Sequence, residues 1–464
     1  MAEQISDESI ILRVAELQKG KIQFTDTTNA ERLYREFGKE IRYNAAWKKW
    51  IVYNGIRWVI DDGALIHEKG LRMIRGIYNE LLRTSDYRDR IEIERYGILC
   101  ESVRRREAII KAASWIKELN IDSNEVDCDP WLLCVRNGTV DLKTGKFLAH
   151  ERNNFITKMA EVEYEPEANC PEWKKFIREI MDYNNELIRY IQTVCGWAIT
   201  GDTSEQTLFI LYGSGANGKS TFLNTLMHIL RDYAIATPTE TFMSRKGEQI
   251  GNDLARLRGT RFVTTTETEQ GKKLAEPLVK QITGNDRITA RFLYGEYFSF
   301  QPTFKVFMAT NHKPSIRGSD HGIWRRIKLI PFTTRISEEK QDKFLETTLK
   351  AEASGILNWL IEGALRWQKE GLKAPPVVLS ATDEYRSEMD VIGSFVKDCC
   401  AQRPGTIIKV RELYKAYQKW CMENNEHTVS ERFLALRLQE IGFERYRTAE
   451  ARFWRNLGLK RRAE

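Results

Sequence analysis

The stretch from Thr207 to Leu226, TLFILYGSGANGKSTFLNTL, decides the fold. Its first half is an unbroken apolar run, which reads as a strand buried on both faces, and it leads through a glycine-rich turn into a helix-permissive segment opening at Lys219. Gly213 and Gly218 permit backbone angles closed to other residues, so the N–H groups of Gly213, Ser214, Gly215, Ala216, Asn217, Gly218, Lys219, Ser220 and Thr221 are expected to turn inward and cradle phosphate oxygens. In this G-x-x-x-x-G-K-S pattern Lys219 would reach the β- and γ-phosphates, Ser220 would hold Mg²⁺, and the positive end of the helix would add a favourable field. The expected ligands are ATP and Mg²⁺.

Working outward, strands and helices alternate: Leu208 to Tyr212, a helix from Lys219, Arg261 to Thr266, a helix from Leu274, then Phe304 to Thr310. That alternation predicts an α/β core with a largely parallel sheet covered on both faces. The second strand delivers Glu267, with Glu269 two residues on; carboxylates at that position would serve Mg²⁺ and the attacking water. A third strand, FKVFMATN, ends in Asn311, whose amide can donate to a γ-phosphate and accept from water at once. Arg325 and Arg326 precede a further apolar strand, and a guanidinium is the group that stabilises charge on a transferred phosphoryl group. Between the second and third strands, Lys280, Arg287 and Arg291 interleave with Phe292, Tyr294 and Tyr297, a mixture suited to a sugar-phosphate backbone and its bases.

Composition limits the rest. The chain has 464 residues, of which 42% are hydrophobic and 30% charged, so two to four soluble domains are expected. No apolar run is long enough to span a bilayer and MAEQISDESI lacks a signal pattern, so a cytoplasmic, membrane-free protein is expected. The eight cysteines form no C-x-x-C pair and the six histidines no H-x-E or H-E-x-x-H, which points to reduced thiols and no zinc site. Between Ala401 and Glu464, 14 Lys and Arg stand against eight Asp and Glu, so this stretch holds six of the seven net positive charges.

Residues 1–170 read as a mixed α/β region. WKKWIVYNGIRWVI, from Trp47 to Ile60, alternates aromatic and polar residues around Asn54-Gly55, as a tight hairpin requires. Short strands punctuated at Asn137-Gly138 and Thr144-Gly145 are expected between Trp131 and His150. The nucleotide core is expected over 171–340, a helical segment and linker over 341–375, and a basic module over 377–464. In the helical segment Leu349, Ile356, Leu360, Ala364 and Trp367 fall on one stripe, and Ala374-Pro375-Pro376 reads as the linker. The module reads as two helices (410 to 425 and 430 to 443) and a two-stranded hairpin (445 to 462).

With these pieces in order, the chain resembles the superfamily 3 helicases of the phage and plasmid primase family. The resemblance is carried by GSGANGKST at 213 to 221, TTETEQG at 265 to 271, VKQITGNDRITARFLY at 279 to 294, FMATNHKP at 307 to 314 and IWRRIKLIPF at 323 to 332. Upstream, NGTVDLKTGKFLAH at 137 to 150 and CGWAITGD at 195 to 202 resemble the poxvirus-type primase-helicase N-terminal domain. The resemblance implies an AAA+ core, a homo-hexameric ring and 3′ to 5′ movement on single-stranded DNA in replication of a phage or mobile element, within the bacterial host cytoplasm. It also implies Glu267 as the second-motif acid, Asn311 as sensor, Arg325 or Arg326 as a finger acting in trans, and Phe292 to Tyr297 as a DNA-gripping hairpin. Family members carry two adjacent acids in the second motif, whereas Thr266-Glu267-Thr268-Glu269 spaces them, so which acid serves metal and which serves water stays open. The C-terminal module is similar to winged-helix domains, with a basic wing for duplex or forked DNA. No two-metal polymerising motif stands out, so a separate primase or polymerase is the expected partner. Alternative readings are an ATP-dependent origin-binding or loader protein without processive unwinding, and a scaffold whose loop binds nucleotide only to set its conformation.

Overall fold

The computed structural model of the chain describes residues 25–244, 251–265, 271–293, 295–316, 321–424, 426–449 and 451–460. Glu267, Glu269 and Tyr294 lie outside the described residues. Two compact units emerge: one holds the N-terminal part up to Ala168 with Ile229–Tyr233, the other Asn169–His228 with the chain from Ala234 onward.

In the first unit, helix α1 (Asp26–Phe37) opens on Thr25, whose side chain accepts from the Thr28 N–H. Strands β1 (Ile41–Asn44), β2 (Lys49–Tyr53) and β3 (Trp58–Ile60) follow as an antiparallel sheet. The β2–β3 turn forms at Asn54-Gly55 as expected: Asn54 Oδ1 accepts from Ile56 N–H at 3.0 Å and Arg57 N–H at 2.9 Å, and Gly55 sits at φ 98°. Helices α2 (Ala64–Ile77), α3 (Tyr87–Cys100) and α4 (Val103–Ala113) complete a core around Leu33, Ile41, Ile74, Ile93 and Ile109. Strands β4 (Leu132–Val135), β5 (Gly138–Asp141) and β6 (Lys146–Leu148) form a meander; its first turn is Arg136-Asn137, one residue before the expected Asn137-Gly138 because Gly138 already pairs with Val135, and its second includes Thr144-Gly145.

The second unit is built on a five-stranded, all-parallel sheet in the order β13-β7-β12-β9-β8. Its strands are β7 (Leu208–Tyr212), β8 (Ala234–Ala236), β9 (Phe262–Thr265), β12 (Lys305–Thr310) and β13 (Ile327–Pro331). The three inner strands, β7, β12 and β9, are buried along almost their whole length, as the unbroken apolar runs require. Beside this sheet, β10 (Ile288–Ala290) and β11 (Phe298–Phe300) form an antiparallel hairpin. Helices α5 (Pro171–Ile180), α6 (Asn185–Ala198), α7 (Lys219–Leu230) up to His228, α8 (Glu276–Thr283) and α9 (Ala353–Glu370) belong to the same unit.

Helices α6 and α9 meet backbone to backbone. A Cβ on Gly196 would lie 2.1 Å from Ala364 N, and one on Gly363 would lie 2.1 Å from Gln192 O, so only glycine fits either position. The expected stripe of Leu349, Ile356, Leu360, Ala364 and Trp367 is buried, with the helix interrupted at Glu352. Glu352 instead turns its carboxylate to the start of α5, accepting from the N–H groups of Glu172 (3.1 Å) and Trp173 (2.9 Å).

The segment read as a linker differs. Pro376 opens helix α10 (Pro376–Met389), where its missing N–H costs nothing because the first-turn N–H groups have no intrahelical partner. This helix packs on the parallel sheet: Thr382 Oγ1 accepts from Leu329 N–H at 3.1 Å, Trp324 meets Tyr385 edge-on, and Tyr385 OH donates to Pro314 O. The C-terminal module therefore starts beyond Asp390, with helix α11 (Val391–Cys399), strand β14 (Cys400–Lys409), helices α12 (Val410–Glu423) and α13 (Glu431–Glu440), and the hairpin β15 (Arg445–Arg447) and β16 (Arg452–Leu459). The two helices and hairpin were expected; α11 and β14 were not. No helix among the described residues is long and apolar enough to cross a membrane.

Candidate nucleotide-binding site

The parallel register aligns Tyr212, Thr310 and Pro331 at one edge of the sheet. The residues that follow these strands therefore emerge together, at the carboxyl ends of the strands, where open α/β sheets bind ligands. The glycine-rich loop follows β7, Asn311 follows β12 and Phe332 follows β13. Strand β9 points the same way and ends at Thr265, two residues before Glu267.

The loop geometry revises the role of its first glycine. Gly218 does sit at φ 82°, and a Cβ there would lie 2.6 Å from Ile180 Cγ2, so angle and space both exclude a side chain. Gly213 is required by space alone: a Cβ would lie 2.2 Å from Phe332 O and 2.3 Å from Asn217 Nδ2. The other left-handed positions of the turn are Gly215 (φ 98°) and Ala216 (φ 50°). From outside, the segment after β13 clamps the loop. Phe332 N–H donates to Tyr212 O at 2.7 Å, Asn217 Nδ2 donates to Phe332 O at 3.2 Å, and Ile336 N–H donates to Ala216 O at 2.8 Å.

Lys219 opens α7 and is buried, with its ammonium folded back into the loop. Its Nζ donates to Gly213 O (2.7 Å), Asn217 Oδ1 (3.0 Å) and Asn311 Oδ1 (3.2 Å). Lys219 and Asn311, 92 positions apart, thus share one hydrogen-bonded cluster. Asn311 is aimed by a local turn in which Thr310 Oγ1 donates to His312 O at 2.6 Å and accepts from His312 N–H at 3.0 Å. Ser214, Ala216 and Ser220 are exposed, while Gly215, Gly218 and Thr221 are half-buried.

The two arginines separate. Arg326 is tied into its own chain, with Nε donating to Thr283 Oγ1 at 3.1 Å and Nη1 to Gly322 O at 2.5 Å. Arg325 is exposed and makes no hydrogen bond or ion pair among the described residues. Lys313, which the sequence reading passed over, anchors the loop after Asn311. Its Nζ lies 2.8 Å from Glu388 of α10 and 4.9 Å from the centre of the Tyr212 ring.

The β10–β11 hairpin brings together several of the expected nucleic-acid residues. Phe292 and Tyr297 are exposed at its tip together with Leu293, Phe292 stacks on Phe298, and the Arg291 guanidinium lies 4.8 Å from the Tyr297 ring centre. Arg287 Nη2 donates to Ser299 O at 3.2 Å across the hairpin, and Lys280 lies on the preceding α8.

Three family models match the chain: residues 30–182 the one described as D5 N terminal like, residues 211–326 a family of unknown function (DUF5906), and residues 387–461 the one described as Poxvirus D5 protein-like. A protein of Acanthamoeba polyphaga mimivirus, provisionally named a helicase, is 25% identical over 419 residues, covering 81% of this chain and 43% of that protein. A protein of Frog virus 3, also provisionally named a helicase, is 26% identical over 249 residues, covering 49% of this chain and 25% of its own length. One of African swine fever virus, provisionally named a primase, is 24% identical over 365 residues, covering 73% of this chain and 37% of its own length. The chain thus spans less than half the length of these curated relatives. Among solved structures, the apo A form of the NrS-1 C-terminal region aligns with a TM-score of 0.50 at 11% identity, covering 92% of this chain and 98% of that one, a likeness of fold. D5-type matches at both ends, joined by viral relatives that align across most of its length, support a D5-type primase-helicase family for this chain.

Proposed function

We propose that the chain is the ATP-hydrolysing motor of a replicative DNA helicase of the superfamily 3, AAA+ kind, a hexameric ring moving 3′ to 5′ on single-stranded DNA. One observation carries this reading: Lys219 Nζ and Asn311 Oδ1 meet at 3.2 Å at the carboxyl edge of the parallel sheet, beside a loop in which Gly213 and Gly218 leave no room for a side chain. Supporting it are the viral relatives named as helicases and primases, which tie the family to genome replication.

The residues present fit a nucleoside triphosphate with Mg²⁺. The N–H groups from Ser214 to Ser220 line a turn with left-handed positions at 215, 216 and 218, the geometry of an anion-binding nest. Lys219 would exchange its amide and carbonyl partners for β- and γ-phosphate oxygens, and the exposed Ser220 hydroxyl would serve the metal, which supplies charge neutralisation between phosphates. Asn311, released from Lys219, would orient the attacking water, with Glu267 or Glu269 as its base. Arg325, the guanidinium with no hydrogen bond or ion pair among the described residues, would reach the neighbouring subunit's γ-phosphate, while Arg326 holds the turn that presents it.

The hairpin tip, with Phe292, Tyr297 and Arg291, would grip the strand being moved, and primer synthesis would fall to a separate primase or polymerase. The test is strand displacement on forked DNA with ATP, comparing the intact chain with Lys219→Ala. ATP-dependent release of the strand by the intact chain alone is expected. Hydrolysis without displacement on any fork polarity would leave only a remodelling or loading role.

A further inference from the structure

Helix α3 carries apolar residues on two faces. Ile93, Tyr96, Gly97 and Cys100 form its buried face. Tyr87, Ile91 and Ile98, spaced four and seven residues apart, fall within about 40° of one another around the helix, and their stripe points roughly opposite to the buried face. Tyr87 is 75% exposed and Ile98 62%, with Ile91 half-buried between them. Leu99 and Val103, on either side of the turn into α4, are exposed as well. A surface helix ordinarily turns polar side chains away from its core, so a second apolar stripe marks a docking face. Arg88 and Arg95 stand on one flank of the stripe and Glu94 on the other. All three are exposed, and neither arginine side chain makes a hydrogen bond or ion pair among the described residues.

The chain itself holds a segment of matching chemistry. Residues 1–24 lie outside the described residues and join them at Thr25, the N-cap of α1. That joint is fixed at the end of α3 that exposes Ile98. Asp26 Oδ1 accepts from Arg105 Nη1 at 2.6 Å, just beyond Val103. Asn29 Nδ2 donates to Tyr96 OH at 2.8 Å and to Cys100 Sγ at 3.4 Å, the residues that bracket Ile98 on the helix. Upstream, Ile10, Ile11, Val14 and Leu17 recur in the sequence with the period of one helical face. Glu3, Asp7, Glu8 and Glu16 stand with Arg13 around them, an acidic surplus suited to Arg88 and Arg95, with a basic residue for Glu94. From Leu17 to Thr25 an extended chain reaches about 26 Å, and the stripe from Tyr87 to Ile98 is about 16 Å long. Every point of the stripe is therefore within reach of the segment.

Nucleic acid does not suit this face, because the exposed Glu92, Glu94 and Glu101 interrupt its arginines. Between two apolar partners of similar fit, a tethered one is favoured by its high local concentration.

We infer that residues 10–17 dock on the Tyr87–Ile91–Ile98 stripe of their own chain, with Ile10, Ile11, Val14 and Leu17 against the stripe and the acids toward Arg88 and Arg95. The inference is independent of the proposed function, since it needs neither nucleotide nor DNA.

The test uses the full chain. With p-benzoylphenylalanine in place of Ile98, irradiation should give an adduct within residues 10–17, mapped by mass spectrometry. In an equal mixture of unlabelled and ¹⁵N-labelled chains, the two halves of each adduct should carry the same label. Mixed-label adducts would make the stripe an interface between copies, and adducts elsewhere or none would remove the segment as its occupant; either result overturns the inference. Limited trypsin digestion gives a second readout, because cleavage at Arg13 tracks the undocked population. Ile98→Asp should speed that cleavage about tenfold. Arg88→Glu with Arg95→Glu, which changes only exposed side chains, should speed it about threefold. Cleavage at the unsubstituted rate in both variants would show that the segment does not use this face.

Discussion

Arg325→Ala and Arg326→Ala should fail in opposite ways, although the residues are adjacent. Arg326→Ala removes at least two hydrogen bonds, at 3.1 Å to Thr283 and 2.5 Å to Gly322. Charged hydrogen bonds of this kind contribute about 1.5–3 kcal/mol each when enclosed; with the side chain only half-buried, about 2–4 kcal/mol in total is expected for Arg326→Ala. At about 2–4 °C per kcal/mol for a large domain, the melting temperature should fall roughly 4–16 °C. Arg325 has no such partner among the described residues, so Arg325→Ala should change stability by less than about 0.5 kcal/mol. Its cost should appear in hydrolysis, on the order of a thousandfold, as for a finger acting on a neighbour's phosphate. The assays are thermal unfolding and steady-state phosphate release, with one further arm in which Arg325→Ala is mixed with Lys219→Ala. Mixed rings contain interfaces where an intact loop meets an intact finger, so some hydrolysis should return. Near-normal hydrolysis by Arg325→Ala, or no rescue despite demonstrated mixed rings, would refute the reasoning.

Three further outcomes follow from packing and charge. Gly218→Ala should lower stability by about 2–4 kcal/mol, combining a left-handed backbone penalty with a Cβ placed 2.6 Å from Ile180, and nucleotide binding measured by calorimetry should be lost with it. Lys305 is buried at the start of β12, where it donates to Thr200 O, Asp202 O (3.1 Å) and Thr303 O (3.2 Å), and burial first, then Arg261, holds its pKa well below 10.5. Because the unfolded chain keeps that proton to higher pH than the folded one, stability should rise with pH between the depressed value and 10.5. Lys305→Met should abolish that rise while costing about 2–4 kcal/mol at neutral pH for carbonyls left without a donor, both read from denaturant curves across pH. Phe292→Ser with Tyr297→Ser should leave hydrolysis without DNA within a few-fold but remove most of its stimulation by single-stranded DNA, since both rings are exposed and neither supports the core. Stimulation retained in that double variant would exclude the hairpin as the gripping element.

How much of this was legible in the sequence follows from how local each signal is. The β7–loop–α7 unit lies in one contiguous stretch, and the turn at Asn54-Gly55 is set by residues within the turn itself. The end of β12 at Asn311 was legible because an apolar run stops at a polar residue. What the sequence left open was settled by partners far along the chain. Arg325 and Arg326 are equivalent until Thr283, 43 residues away from Arg326, takes one of them. Gly213 looks like a conformational glycine and is a steric one, because Phe332 approaches it from another strand. Strand β14 was missed because Arg403-Pro404-Gly405 reads as a loop; proline is tolerated at the edge of a sheet, and the pairing with β16 slips between Gln402 and Ile407 to accommodate it.

The proline pair at 375 and 376 shows the same limit from the other side. Proline ends a helix that precedes it and starts one that follows it, so Ala374-Pro375-Pro376 is compatible with a linker and with a helix N-terminus alike. The choice lies in Val378, Thr382 and Tyr385, spaced four and three residues apart on one face of α10 and all buried. That face had a legible period but no legible destination. Its destination is the sheet beside the nucleotide site: Thr382 takes the β13 N–H of Leu329, Tyr385 reaches Pro314, and Glu388 pairs with Lys313, two residues beyond Asn311. Helix α10 then passes into α11 through Asp390 alone, whose carboxylate caps α11 by accepting from Gly393 N–H at 3.0 Å. The chain from Pro376 into the C-terminal module is therefore packed helix broken only at Asp390, and a substitution such as Lys313→Ala acts on a structural joint, where the sequence alone suggested a tether.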